Sequence, residues 1–449
     1  MAPFIKSPLQ MSINKFRLFL LCLAWFAGII NVIFGQSALV IANGGVLSLL
    51  FFFVLTFKRL KKGSIIIIAI LVVLAFILLD HFPSFKECLS AGRFTLVFAA
   101  LLPTMTLVRS ASLKLSSIKK SQDLLRNLST NISTSGFQIA SHFFGSVINT
   151  GTFSILSAAI PENSAENYRK KIAEACLRGM NTSATWSPFF IAFAVGQAFI
   201  DKTNSWIAMA WGILVGILFN FISLPIFAND STYDKIKYSL ACLFPVFPLM
   251  TLIMISVLSV SIFFDFTALS AVVLVMPVLI IIYILFNFKN FFDIYSNTKS
   301  WLLKSSDDIT IICIAMFVGY LISRSNPINN YILLLDSPFF PSWSLLAFTP
   351  LIITVFSFIG IHPVITSTIA LTLLTSRQTD IHPALLMQAH LIGWAAGTMS
   401  SVASLSVLTC SNLFKVESRK LAFGPNLLTA VIFSLFSGLL LSFVNFLIF

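Results

Sequence analysis

Charge is what this sequence is shortest of. Only 10% of its 449 residues are Asp, Glu, Lys or Arg, and only 16 residues are acidic. With 57% hydrophobic residues and a mean hydropathy of +0.95, it has too few polar side chains to cover a water-soluble globule. Close cysteine pairs are missing too. The six cysteines (Cys22, Cys88, Cys176, Cys242, Cys313, Cys410) lie far apart, which excludes the usual metal and redox spacings and makes them packing residues. No polar stretch is left over for a soluble domain. A membrane-embedded enzyme, such as a polymerase or transferase of envelope sugars, would need clustered acids, a His beside a nucleophile, or a large loop carrying them. None is visible, so the chain reads as no enzyme.

What is present is apolar sequence, with 47 Phe. Windows of about 20 apolar residues, enough to span a bilayer as a helix, recur from Leu18 to Phe449. The net charge of +13 sits in short loops between these windows, where Lys and Arg orient a membrane protein; no nucleic-acid partner is implied. The opening "INKFRLFLLCLAWFAGIINVIFG" has the charge pattern of a signal peptide. Its apolar run is long for one and no clear cleavage site follows, so it reads as a retained first helix.

With Lys6, Lys15 and Arg17 in the cytoplasm, the first helix (Leu18 to Phe34) exits and the second (Ala38 to Phe57) returns to "KRLKK". The third (Ser64 to Leu79) exits to a loop around Asp80 to Arg93. The fourth (Phe94 to Val108) comes back to Arg109, Lys114, Lys119, Lys120 and Arg126. Then comes "SHFFGSVINTGTFSILSAAI", Ser141 to Ile160, followed by the basic "NYRKKIAEACLR". A single crossing would put that basic run outside, whereas a hairpin turning at Asn149-Thr150-Gly151 keeps it inside. Non-helical backbone at that depth survives only where protein buries it or it lines a watery cavity. The alternative is an ordinary helix whose Ser and Thr bond their own backbone.

"RGMNTSATWSPFFIAFAVGQAFI" then reads as a discontinuous fifth helix, broken by Gly179, Asn181, Thr182, Ser183 and Pro188. Helices six (Trp206 to Ala228), seven (Leu240 to Phe264), eight (Thr267 to Phe288) and nine (Ile309 to Ser323) follow. A second hairpin, entered from outside, is expected in "SLLAFTPLIITVFSFIGIHPVITSTIALTLLTS". Helix ten (Leu385 to Asn412) is interrupted by Gly393, Gly397, Thr398, Ser400 and Ser401, and helix eleven ends the chain. His142 and His362 lie 220 positions apart and Gly179 and Gly397 lie 218 apart, so two landmarks share nearly one spacing. An odd number of crossings between them makes the repeats inverted. The expected fold is thus an all-α polytopic membrane protein of about 11 transmembrane helices, with two re-entrant hairpins in an inverted-topology repeat.

That order of elements resembles the ion transporter superfamily, especially its divalent anion/sodium symporter branch. The family carries Ser-Asn-Thr at both hairpin tips. Here the tips read Ile148-Asn149-Thr150 and Thr366-Ser367-Thr368, so Asn149 and Thr150 match, while the first Ser and the second Asn are absent. The resemblance implies a homodimer with a fixed scaffold, 1–135 and 229–343, and a mobile transport unit, 136–228 and 344–449. It also implies linking arms around Ser112 to Ser133 and Pro327 to Pro341.

Asp80, Asp201, Asp265 and Asp380 fall at helix ends and Glu174 in a basic segment, which disfavours a cation or proton antiporter with a buried acid. What remains near mid-depth is donor-rich and suits an anion. The expected solute ligands are Asn149, Thr150, Asn181, Thr182, Thr366, Ser367, Thr368, Ser400 and Ser401. Ser146, Gly151, Ser183, Gly397 and Thr398 are the expected surroundings of a coupling ion, and His142 and His362 the expected proton site. No cofactor is expected beyond sodium as a coupling ion. The chain therefore reads as a secondary transporter of a small anion, an organic carboxylate, in a bacterial inner membrane, N-terminus cytoplasmic and C-terminus periplasmic. An exporter or flippase of larger envelope metabolites is the competing reading, which gives no reason for paired hairpins.

Overall fold

A computed structural model describes residues 8–128, 130–161, 163–228, 233–324, 341–376, 380–402 and 404–449. Among these the chain is helical with no strand. In order the helices are α1 (Pro8–Phe34), α2 (Leu39–Phe57), α3 (Lys62–Leu78), α4 (Phe85–Ser112), α5 (Ser116–Arg126), α6 (Thr130–Ile148) and α7 (Gly151–Ser157). There follow α8 (Glu166–Thr182), α9 (Ile191–Gln197), α10 (Lys202–Ala228), α11 (Tyr233–Ala241), α12 (Phe247–Phe263), α13 (Ala268–Phe286), α14 (Phe291–Lys304) and α15 (Ser306–Ile322). The last are α16 (Ser342–Phe358), α17 (Pro363–Ser376), α18 (Pro383–Ser400), α19 (Leu405–Phe414), α20 (Ser418–Ala422) and α21 (Pro425–Ile448).

Breaks fall where residues tolerate a left-handed backbone. Gly35 (φ +51) parts α1 from α2, Asn149 (φ +54) parts α6 from α7, and Gly360 (φ +92) parts α16 from α17. Six helical stretches are long and apolar enough to cross a membrane, or seven if the pair α14 and α15, bent by 60°, forms one span. One stretch, Ser12–Phe57, holds 46 residues, about twice what one crossing needs. It folds back on itself, since α1 and α2 pack along each other with Gly45 against Ala27. Large apolar side chains such as Phe286 (84% exposed) and Phe446 (76%) cover the outside. Such a surface is stable only in lipid. The chain is a helical integral membrane protein.

Contacts divide the chain into two compact units. The first comprises Met1–Ala111 and Ser270–Ile328. Its core is built on Leu21, Ala24, Leu49, Phe52, Leu96 and Ile309. Two cations are held inside it: the Arg109 guanidinium lies 3.4 Å from the Trp301 ring centre, and Arg17 donates to Thr56 Oγ1 (3.1 Å) and Ser306 Oγ (2.8 Å).

The second unit comprises Ser112–Leu269 and Asn329–Phe449. It therefore includes residues 112–135 and 229–269, which the resemblance assigns to the scaffold. Specific bonds tie them in. Gln122 Nε2 donates to the Ile155 carbonyl (2.7 Å), Lys202 Nζ to Asp265 and to the Ser261 carbonyl (both 2.7 Å), and the Leu269 N–H to Gln197 Oε1 (3.3 Å), while Ser121 Oγ joins the two segments through the Cys242 carbonyl (2.5 Å). The helix expected from Leu240 begins only at Phe247, behind the separate α11, and the stretch between the expected helices eight and nine contains α14. Of the expected arm Pro327 to Pro341, all but the last residue lies outside the described residues.

Candidate functional site

The second unit holds every residue singled out for the site. In its first half α6 stops at Asn149, whose left-handed backbone forms the turn expected there. Asn149 Oδ1 accepts from the Thr150 N–H (2.7 Å) and its carbonyl from the Thr152 N–H (3.0 Å), so this residue shapes its own turn. Gln122 and Arg126 of α5 donate to the Ile155 and Ala158 carbonyls (2.7 Å each), strapping the return arm α7 in place. α6 packs closely on α8, with Gly145 over Met180 and Ser183 and Gly179 against the Gln138 carbonyl.

The break in α8 starts at Ser183, so Gly179, Asn181 and Thr182 are still helical. Hydroxyls bond the carbonyls around it. Thr182 donates to Arg178 O (2.8 Å), Ser183 to Met180 O (2.7 Å), and Thr185 to Thr182 O (2.8 Å) and Gly212 O (3.0 Å). Ser187 closes the break onto the Ser146 carbonyl, and the Ser146 hydroxyl is itself turned to Phe143 O (2.7 Å).

His142 sits behind this break with both ring nitrogens engaged. Trp186 Nε1 can only donate, so His142 Nε2 accepts from it (3.1 Å) and the neutral ring carries its proton on Nδ1. Nδ1 lies 3.2 Å from the Gly179 carbonyl and 3.2 Å from Thr182 Oγ1. A second proton on Nε2 would face the Trp186 N–H, so proton uptake by His142 requires Trp186 to move. Sequence reasoning misses what lies beyond. Asn220 packs beside the ring with its Nδ2 donating to the Gly216 carbonyl (2.8 Å), and Gln138 Nε2 donates to Asn220 Oδ1 (3.1 Å) and Ser223 (2.7 Å). Buried Arg178 donates in turn to Gln138 Oε1 (3.0 Å) and Asn426 Oδ1 (2.8 Å). One signal for it exists in the sequence: Gln138 and His142 lie four residues apart, on one face of the helix that leads into the Asn149 turn.

The second half turns at Gly360, not at Thr366-Ser367-Thr368, because among the described residues of α16, α17 and their link only Gly360 has the left-handed backbone such a turn needs. Pro363 starts α17 and His362 Nδ1 accepts from the Val364 N–H (3.2 Å), a capping role. Thr366, Ser367 and Thr368 fall in the first two turns of α17. Thr366 donates to Pro363 O (3.2 Å), whereas the hydroxyls of buried Ser367 and Thr368 have no partner among the described residues. Thr152, in the first turn of α7, is likewise buried and unpartnered among them. Helix ten is unbroken through Gly393, Gly397 and Thr398, and the two glycines only let α18 approach Pro350, Ile353 and Ser357 of α16. Its break falls between Ser400 and Leu405 and takes in Ser401. There Ser404 Oγ accepts from the Val407 N–H (3.1 Å) and donates to Thr398 O (2.8 Å).

The two halves interlock reciprocally. α7 packs on α19, the far piece of the second broken helix, and α17 packs on α9, the far piece of the first. Between them Thr398 Oγ1 lies 2.8 Å from Asn181 Oδ1, and His390 Nε2 bonds the Ala192 carbonyl (2.8 Å). Asn181 and Thr398, expected in separate solute and ion sites, are thus brought together. Gly151 begins α7, and Ser400 turns weakly to Ala396 O (3.4 Å). No protein-family model matches this chain, and no curated protein matches it.

Proposed function

We propose that the chain is a secondary active transporter of a small anion, an organic carboxylate, working by alternating access and coupled to sodium or protons. The observation that carries this reading is the reciprocal packing of two broken halves, α7 on α19 and α17 on α9, across the Asn181–Thr398 contact. Transporters place paired broken helices around one midplane site because irregular backbone inside a membrane is tolerated only where protein buries it or water reaches it. In this reading α6 with α7 and α16 with α17 are re-entrant hairpins, about eleven helices cross, and the N-terminus faces the cytoplasm. The protein acts as a homodimer in which the hairpins and broken helices move, elevator-like, against the scaffold. The unpartnered hydroxyls of Thr152, Ser367 and Thr368 are the donors available to a solute or ion, together with part-exposed Asn149 and Thr150.

The test is uptake of radiolabelled dicarboxylates and tricarboxylates into proteoliposomes, with a sodium gradient, a proton gradient and neither. Sodium dependence supports the symporter reading. Proton dependence moves attention to His142 and the Trp186 contact. Absence of carboxylate flux under all three conditions, from protein shown to be folded, refutes the anion reading.

A further inference from the structure

We infer that the first unit binds an anionic phosphate group, supplied by a membrane lipid or as free phosphate, between Arg17, Arg59 and Lys304. These three cations line an open cavity of about 240 Å³ together with Asn14, Ser306 and Asp307. Arg17 is only 4% exposed. Its Nη1 and the Nη1 of Arg59 both point to one neutral oxygen, Asn14 Oδ1. Two guanidinium groups therefore converge without a carboxylate between them. Among the described residues neither is in an ion pair. The one acid on the cavity wall, Asp307, acts on Arg17 as an opposite charge and accepts at Oδ2 from the Lys61 N–H (3.0 Å) and Ser64 Oγ (2.7 Å), so three cations face a single carboxylate.

Like charges gathered at a partly buried place are stabilised by an anion, and guanidinium forks match the oxygens of a phosphate. Arg17 directs one N–H each to Thr56, Ser306 and Asn14, which leaves part of its donor fork free. Exposed Lys304 adds a flexible third cation. The position suits a headgroup: Arg17 is near the start of the Ser12–Phe57 stretch, Arg59 lies just past its end, and Lys304 sits at the bend between α14 and α15. Exposed Phe16 (53%) and Phe57 (52%) flank the two arginines in sequence, which favours an acyl chain beside the site. This inference is independent of the transport reading, because none of its residues belongs to the second unit.

The full chain, purified into nanodiscs, tests it by native mass spectrometry and thermal shift with phosphatidylglycerol, phosphatidylcholine or inorganic phosphate. Wild type is compared with Arg59→Gln, Lys304→Gln and the control Lys289→Gln, a lysine outside the cavity. Retention of phosphatidylglycerol over phosphatidylcholine, reduced about fivefold by each of the first two changes and not by the third, is the expected result. Displacement of the lipid by inorganic phosphate, or a phosphate-dependent shift lost in Arg59→Gln, assigns the same site to free phosphate. Equal retention of both lipids with no phosphate effect overturns the inference. So does retention unchanged in Arg59→Gln and Lys304→Gln.

Discussion

The Thr398 hydroxyl carries a single proton, and besides the more distant Ala395 carbonyl (3.3 Å) two near acceptors compete for it. Asn181 Oδ1 and the Trp394 carbonyl both lie 2.8 Å away. Donation to Trp394 makes Thr398 a back-bonded helical residue and leaves two oxygens facing each other across the halves. Donation to Asn181 makes a staple. Asn181 favours the staple, because its Nδ2 donates to Leu177 O (2.8 Å), which fixes the amide with Oδ1 toward Thr398. A buried hydrogen bond contributes about 0.5 to 1.5 kcal/mol net. Between membrane helices such couplings average about 0.6 kcal/mol and reach about 1.7. Thr398→Val keeps the shape and should cost about 1 kcal/mol. Asn181→Leu, at a 1% exposed position, should cost about 1 to 3 kcal/mol because the Leu177 bond goes too. Double-mutant analysis of the purified protein, unfolded by sodium dodecyl sulfate, should return a favourable coupling of about 0.5 to 1.5 kcal/mol. Coupling indistinguishable from zero, or of opposite sign, would assign the proton to Trp394 and remove the staple.

Asn149 separates fold from function. Asn149→Gly keeps the left-handed turn and should leave stability within about 1 kcal/mol, while Asn149→Ala should lose about 1 to 2 kcal/mol; unimpaired uptake in the folded Gly variant would exclude the amide as a ligand. A Cβ at Gly179 would enter the Gln138 carbonyl, so Gly179→Ala should lower the melting temperature, whereas Gly63→Ala, with nothing within 4 Å, should raise it slightly. His81, on the loop before α4, is held above the usual histidine pKa by its bond to Asp80 (2.7 Å) and then by Glu87. Its contribution is fully present below the unfolded pKa and fades as pH rises through the raised folded value. Wild type and His81→Asn should therefore differ in melting temperature in mild acid and converge in alkali; a constant difference would refute the pairing. A reporter fused after Phe449 should be active only outside the cytoplasm if both hairpins re-enter.

The interruptions are legible because small and polar residues within an apolar run have few structural uses. Residue type and setting assign Asn149 to a turn, and the turn is there. The second turn is misplaced when Thr366-Ser367-Thr368 is matched to a family pattern, while the backbone requirement points to Gly360. Helix α14 escapes because it falls between the apolar windows and carries Lys299 and Lys304, although Ile294, Thr298 and Leu302 form a buried stripe at helical spacing. The Asn181–Thr398 contact is out of reach. Each residue is ordinary in its own helix, and only tertiary packing brings positions 217 apart within bonding distance.

The proposed repeat rests on different landmarks from those the sequence suggests. Gly179 and Gly397 are not breaks, since both lie in continuous helix, but each is where one helix closes on another, α8 on α6 and α18 on α16. The histidines do not correspond. His142 lies inside the arm before its turn and bonds across to the break, whereas His362 follows its turn and caps the next helix. The equivalent turn residues are Asn149 and Gly360, 211 positions apart, against 218 for the glycines. The return arms account for that difference, since α7 has 7 residues and α17 has 14. Their unpartnered hydroxyls are therefore at unequal distances from the turns, Thr152 in the first turn of its helix and Ser367 and Thr368 in the second. On the inverted-repeat reading, a twofold-related backbone thus carries an asymmetric set of donors. On the transport reading proposed above, such a set suits a solute that presents more than one contact point.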